Sequence, residues 1–240
     1  QLVFYSDRSS REEVWTLDLA SREMRRLSRN GGIQPSWSRD GRRVAWGIAA
    51  GLQVYDLSAE RTVTIGPGLM TAYPAYSPDG RNICFQGWSQ NSGYRLYLAP
   101  AGGGAAREVP TPEGSPGNPS FSPDGRTIYY QLDDKLSQRN VWALDVVSGA
   151  SRQITRGNTD DAHPDVSPDG RSLLFLRNHS ELHVMPIEGG PSRIVLKYEG
   201  YNRLVEFPAW SPDGKSIVFS LAEKSGDIFR MQLGGAKSGK

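Results

Sequence analysis

Cysteine is all but missing from this chain: Cys84 stands alone, so no internal disulfide framework holds the fold. Histidine is nearly as scarce, with His163, His179 and His183 the full set. No run of apolar residues is long enough to span a bilayer, which argues against direct membrane insertion, and no signal peptide is apparent. Helical periodicity is missing throughout. A net charge of +2 lacks the one-signed excess of a nucleic-acid binder. What the chain has in quantity is turn residues, 27 glycines and 16 prolines in 240 positions, as expected where tight turns join short strands.

Those turn residues recur in a pattern. Pro208 to Phe219 reads as a strand ending in Trp210, a Ser211-Pro212-Asp213-Gly214 turn, and a second strand through Ile217 and Phe219. Pro pre-sets φ at the first central position, Asp bonds the local backbone, and Gly takes the left-handed exit. The unit returns around Ser38-Arg39-Asp40-Gly41, Ser77-Pro78-Asp79-Gly80, Ser122-Pro123-Asp124-Gly125 and Ser167-Pro168-Asp169-Gly170. Its leading prolines, Pro35, Pro74, Pro119, Pro164 and Pro208, are spaced by 39, 45, 45 and 44 residues. Several short strands in a period of that length mean propeller blades. The chain enters mid-repeat, because Leu2-Val3-Phe4 aligns with Ile83-Cys84-Phe85. The expectation is an all-β propeller over residues 1–233 with a C-terminal tail at 234–240. Six blades of four antiparallel strands, the first and last incomplete, fit the spacing best. Five blades, or part of a larger ring, also remain compatible with it. Trp37, Tyr76, Phe121, Val166 and Trp210 are expected between sheets.

The repeat Pro-x-aromatic-Ser-Pro-Asp-Gly-Arg/Lys, followed by aromatic-x-Leu-Asp-Leu and Arg-x-Leu/Ile-Thr, resembles the WD40-like repeat of TolB-type β-propellers across essentially the whole chain. The resemblance implies a bacterial, periplasmic or otherwise extracytoplasmic binding module, either a sensor or a Tol-type part of a larger protein. Its lyase relatives imply the alternative of a metal-dependent enzyme acting on a carbohydrate.

Repeated residues make turns, so recognition is expected where the repeats differ. The residue before each inner-strand proline changes from blade to blade: Gln34, Tyr73, Asn118, His163 and Phe207. These are expected to open the inner strands at the channel mouth. With Trp88 and Tyr201 on nearby loops, they form the expected site for a protein segment or small polar ligand. The propeller is expected to act as a monomer without catalytic residues. Asp160-Asp161-Ala162-His163-Pro164-Asp165 is the sharpest departure from the repeat, and Asp161, His163 and Asp165 are a candidate set for calcium or manganese.

Overall fold

The computed structural model describes residues 1–136, 138–199, 204–222 and 227–232, the stretch from 222 onward as backbone only. Among these residues the chain is built of strands and turns, without helix. Six antiparallel sheets follow one another along the sequence, in the order that consecutive hairpins dictate. The first holds β1 (Leu2–Ser6), β2 (Glu13–Leu17) and β3 (Met24–Arg26). The second holds β4 (Ile33–Trp37), β5 (Arg43–Ile48), β6 (Gly51–Asp56) and β7 (Arg61–Ile65). The third has β8 (Met70–Tyr76), β9 (Asn82–Ser89), β10 (Gly93–Pro100) and β11 (Arg107–Val109). The fourth has β12 (Ser115–Phe121), β13 (Thr127–Asp133), β14 (Arg139–Asp145) and β15 (Ser151–Gln153). The fifth runs β16 (Asp161–Val166), β17 (Ser172–Arg177), β18 (Glu181–Pro186) and β19 (Arg193–Lys197). The sixth has β20 (Leu204–Trp210), β21 (Ser216–Ala222) and β22 (Asp227–Gln232). The expected tail at 234–240 lies outside the described residues.

The hairpin between the second and third strands of the third sheet is tighter than the sequence suggests. A loop from Trp88 to Tyr94 is expected, yet β9 continues to Ser89 and β10 starts at Gly93. Cross-strand pairing of Trp88 with Tyr94 extends the ladder through positions whose composition reads as loop.

One apolar cluster fills each of the five gaps between sheets consecutive in sequence, because successive residues of a strand point to opposite faces. On β5, Val44 joins Val14 and Trp46 toward the first sheet, while Ala45 joins Ile83 and Phe85 toward the third. Trp37, Tyr76, Phe121, Val166 and Trp210 each pack against one of these clusters, as expected. Cys84 is one more core residue: fully buried, its thiol is pushed up to about 12 by desolvation and is therefore inert.

The turns at one end repeat to within a tenth of an ångström. In each, the Ser hydroxyl donates to the Asp carboxylate two residues on, at 2.6 Å. The Asp accepts the backbone N–H of the basic residue that follows, at 3.0 Å. The same hydroxyl accepts the N–H that starts the next strand, at 2.9 Å. The five aspartates are consumed by turn geometry, and none of them points at the channel.

Candidate functional site

Every innermost strand with a proline carries the same irregularity. Its pairing slips between Ile33 and Ser36, Ala72 and Ala75, Gly117 and Ser120, Ala162 and Asp165, and Glu206 and Ala209. The skipped residues are the proline and the one before it. That preceding residue is left-handed each time: Gln34 (φ +50°), Tyr73 (+51°), Asn118 (+47°), His163 (+50°) and Phe207 (+51°). A residue before proline ordinarily stays extended, and a non-glycine at positive φ costs about 1–3 kcal/mol. The surrounding sheet over-determines the bulge in all five blades. Tyr73, Asn118 and Phe207 therefore sit at the midpoints of seven-residue strands instead of opening them at the mouth, contrary to the sequence expectation. Strand pairing continues on both sides of the bulge, which a count from the proline misses.

The bulges turn these side chains toward a common centre. Tyr73 of the third sheet, His163 of the fifth and Phe207 of the sixth form a ring cluster. His163 and Phe207 lie 5.0 Å apart edge-to-face, Tyr73 and His163 6.3 Å, and Tyr73 and Phe207 6.4 Å. Tyr5, on the first strand of the first sheet, closes against Phe207 at 5.9 Å. Contact between the first and sixth sheets thus runs through two aromatic rings. Desolvation raises the pKa of the Tyr73 hydroxyl, against the neighbouring Gln34 amide, the Arg139 charge and the Asn118 amide, which act to lower it. Asn118 Nδ2 also donates to Gln131 Oε1 at 2.8 Å, and the His163 N–H donates to the same oxygen at 3.2 Å. The result is an aromatic floor pinned by amides across the channel.

The floor is neutral. Burial, then the charges of Arg139 and His179, depress His163 to about 3, so its imidazole carries no proton charge at neutral pH. Tyr5 is pushed up to about 12, by burial first and then by Glu206, Glu12 and Tyr73. Above it lies a charged array on the fourth and fifth sheets. Arg139 forks onto Asp133 at 2.7 and 3.1 Å and reaches Asp160 at 3.6 Å. His179 meets Asp160 at 2.9 Å, and Arg177 forks onto the fully buried Asp161 at 2.7 and 2.9 Å.

The structure does not bring Asp161, His163 and Asp165 onto one point. The Asp161 carboxylate is held by Arg177, while the His163 ring packs against Phe207 and Tyr73. Asp165 ties three sheets together by accepting from Ser120 Oγ at 3.1 Å and from the Trp210 N–H at 2.7 Å. Burial pushes its carboxyl up to about 6 against these donors. The bulge at His163 breaks the strict alternation that would have put His163 and Asp165 together. Trp88 lies apart from the floor, in a cross-strand row with Met70 and Tyr94 at the rim. Tyr201 lies outside the described residues.

A model of the TolB beta propeller domain matches residues 33–235. The chain belongs to that family. Solved structures agree on the TolB-type fold. A protein of Agrobacterium tumefaciens assigned as a TolB superposes with a TM-score of 0.78 at 20% identity, covering 97% of this chain and 86% of that one. TolB from Acinetobacter baumannii gives 0.79 at 19% identity over 96% of this chain, which spans only 60% of that protein's length. Oligogalacturonate lyase from Vibrio parahaemolyticus gives 0.65 at 14%, covering 95% and 73%. No curated protein gives a significant sequence match.

Sequence reasoning missed three residues of this TolB-type channel. Tyr5 sits on a strand whose counterparts elsewhere are second strands, so alignment with the repeat hides it. Glu206 precedes Phe207 and reads as loop. Arg139 was legible only as the end of a polar loop, although its pairing opposite Asp133 on adjacent strands is the cross-strand charge pattern that would reveal it.

Proposed function

We propose that this TolB-type propeller is a non-catalytic, extracytoplasmic binding module that takes a protein segment or small polar ligand into the channel from the entry-loop side, down to the aromatic floor. One observation carries the reading. Five geometrically equivalent positions, all turned inward by the same strained bulge, hold five different side chains, while the turns at the other end stay alike. Strain repeated for packing alone leaves the side chain free to repeat as well. Aromatic rings supply contact area at little entropic cost, and amides fix orientation.

The test selects peptides from a random display library on the intact chain and measures their affinity by calorimetry. Trp88→Ala at the rim weakens the selected peptides about tenfold or more with an unchanged melt, as expected for an aromatic contact. Val147→Ala, at a side chain 90% exposed at the turn end, leaves affinity unchanged. Incubation with oligogalacturonate, with and without manganese, separates this reading from the lyase alternative. Sustained metal-dependent formation of unsaturated product overturns it.

A further inference from the structure

The charges around the floor are unevenly answered. Arg139 is answered by Asp133 and Asp160, and Arg177 by Asp161. Glu206, half-buried on β20 beside Phe207, has no hydrogen bond or ion pair from its carboxylate among the described residues, yet lies near enough to raise both Tyr5 and Tyr73. Glu12 adds to the field on Tyr5. Among the described residues, Glu206 and Glu12 put negative charge beside the aromatic floor, and the Arg139–Asp133–Asp160 group sets two carboxylates against one guanidinium. A second observation is independent of charge. Gln34 Oε1 is buried with no hydrogen-bond partner, its amide nitrogen being the group that can donate to Tyr73. Such an orphan acceptor is costly and calls for an N–H donor. The floor therefore offers an unanswered carboxylate, an unanswered amide oxygen and ring faces.

We propose that the group the channel receives is a primary ammonium, set against Glu206 with the faces of Tyr5, Tyr73 and Phe207 around it. An ammonium satisfies a carboxylate by charge-assisted hydrogen bonds and is attracted to aromatic faces, and its hydrogens suit an amide acceptor. An anionic terminus would meet Glu206 unscreened in a half-buried site. This inference rests on the binding reading above and specifies its chemistry.

Two sources supply the group, an α-amine and a lysine side chain. Leucine amide presents the first and Nα-acetyl-lysine amide the second; acetyl-norleucine amide is the neutral shape control and acetyl-glutamate amide the anionic one. Each is titrated to tens of millimolar into the isotopically labelled intact chain, following the amides of Tyr5, Glu206 and Phe207. At least one ammonium probe is expected to shift these amides in a saturable way, about tenfold or more tighter than the norleucine control. Which of the two does so names the source. Glu206→Gln, which keeps shape and hydrogen bonding, removes most of that preference with an unchanged melt, since a charged hydrogen bond of this kind is worth about one to two decades in affinity. Equal binding of norleucine and lysine probes, or a preference that survives Glu206→Gln, overturns the ammonium assignment. Tighter binding of the glutamate probe at these amides overturns it too but leaves the binding reading standing. No saturable shift from any probe, together with no selected peptide touching these amides, overturns both.

Discussion

The two ends of this propeller obey different rules. At the turn end, five loops share one hydrogen-bond pattern with the same distances, and the sequence repeats because the geometry leaves no choice. Midway along the inner strands, below the entry end, five bulges share one backbone conformation and five different side chains emerge from it. Repetition of backbone with variation of side chain separates what holds the molecule from what faces a partner. The turn end shows the alternative, in which backbone and side chain are locked together.

The largest effect expected tests how closely the entry end is packed. A Cβ built on Gly47 lands on the Thr71 backbone carbonyl of the next sheet, and backbone cannot swing aside. Gly47→Ala should cost more than about 3 kcal/mol or prevent folding, at the upper end of overpacking changes, as read by urea midpoint. Gly41→Ala, whose Cβ meets open space, should lose only the strain of its left-handed φ of +69°. If the two changes cost the same, the sheets are not in close contact at the entry end.

Next is the sameness of the turns. Ser77→Ala and Ser167→Ala each leave a half-buried strand-starting N–H without its acceptor, and each should cost about 1–2 kcal/mol. The values should agree closely, because the local geometry does. A spread wider than that range breaks the comparison at its regular end. The matching change at the variable end, Asn118→Ala, should show no such agreement with Gln34→Ala. Asn118 has a donor bond to Gln131, whereas Gln34 leaves its oxygen unmet.

The smallest net effect is in pH, because two groups of opposite sign partly cancel. His163 titrates near 3 in the fold and near 6.5 when unfolded, so stability is lost as pH falls from about 6.5 toward 3. Asp165 titrates near 6 in the fold and near 3.9 unfolded, so its contribution has the opposite sign: present at low pH and lost as pH rises through 6. His163→Gln should flatten the acid side of a melting-temperature profile between pH 7 and 4, and Asp165→Asn should steepen it. Parallel profiles would sink the claim that both groups are desolvated in the fold.

Much of the fold was legible because turn chemistry writes itself into residue type. The turn needs Ser, Asp and Gly at fixed positions, with Pro second in four of the five copies, so each copy marks a hairpin and the spacing marks a blade. The core positions followed from alternation around the same marker. The channel was half legible. The residue before each proline stood out by its variation, but nothing in Gln34 or Phe207 announces positive φ, since pre-proline residues ordinarily avoid it. Contacts between sheets were invisible for a plainer reason: Ser120 and Asp165 are neighbours only once the fourth and fifth sheets pack together, and Tyr5 and Phe207 only once the first sheet meets the sixth. The candidate cation set looked convergent in sequence because adjacency along a strand was taken for adjacency in space. The bulge at His163, and the Arg177 fork on Asp161, separate its members.

The left-handed bulge also limits what the channel can be made of. A side chain branched at Cβ collides with its own backbone at φ near +50°, so valine, isoleucine and threonine are poor choices at all five inward positions. The residues present are Gln, Tyr, Asn, His and Phe, each with an unbranched Cβ. Across homologous propellers that keep the bulge, the recognition surface can be rewritten in amides, aromatics and charges but hardly in compact branched aliphatics. The scaffold thereby edits the vocabulary available to its own binding site, and a shift toward apolar partners would have to be made on the rim loops instead.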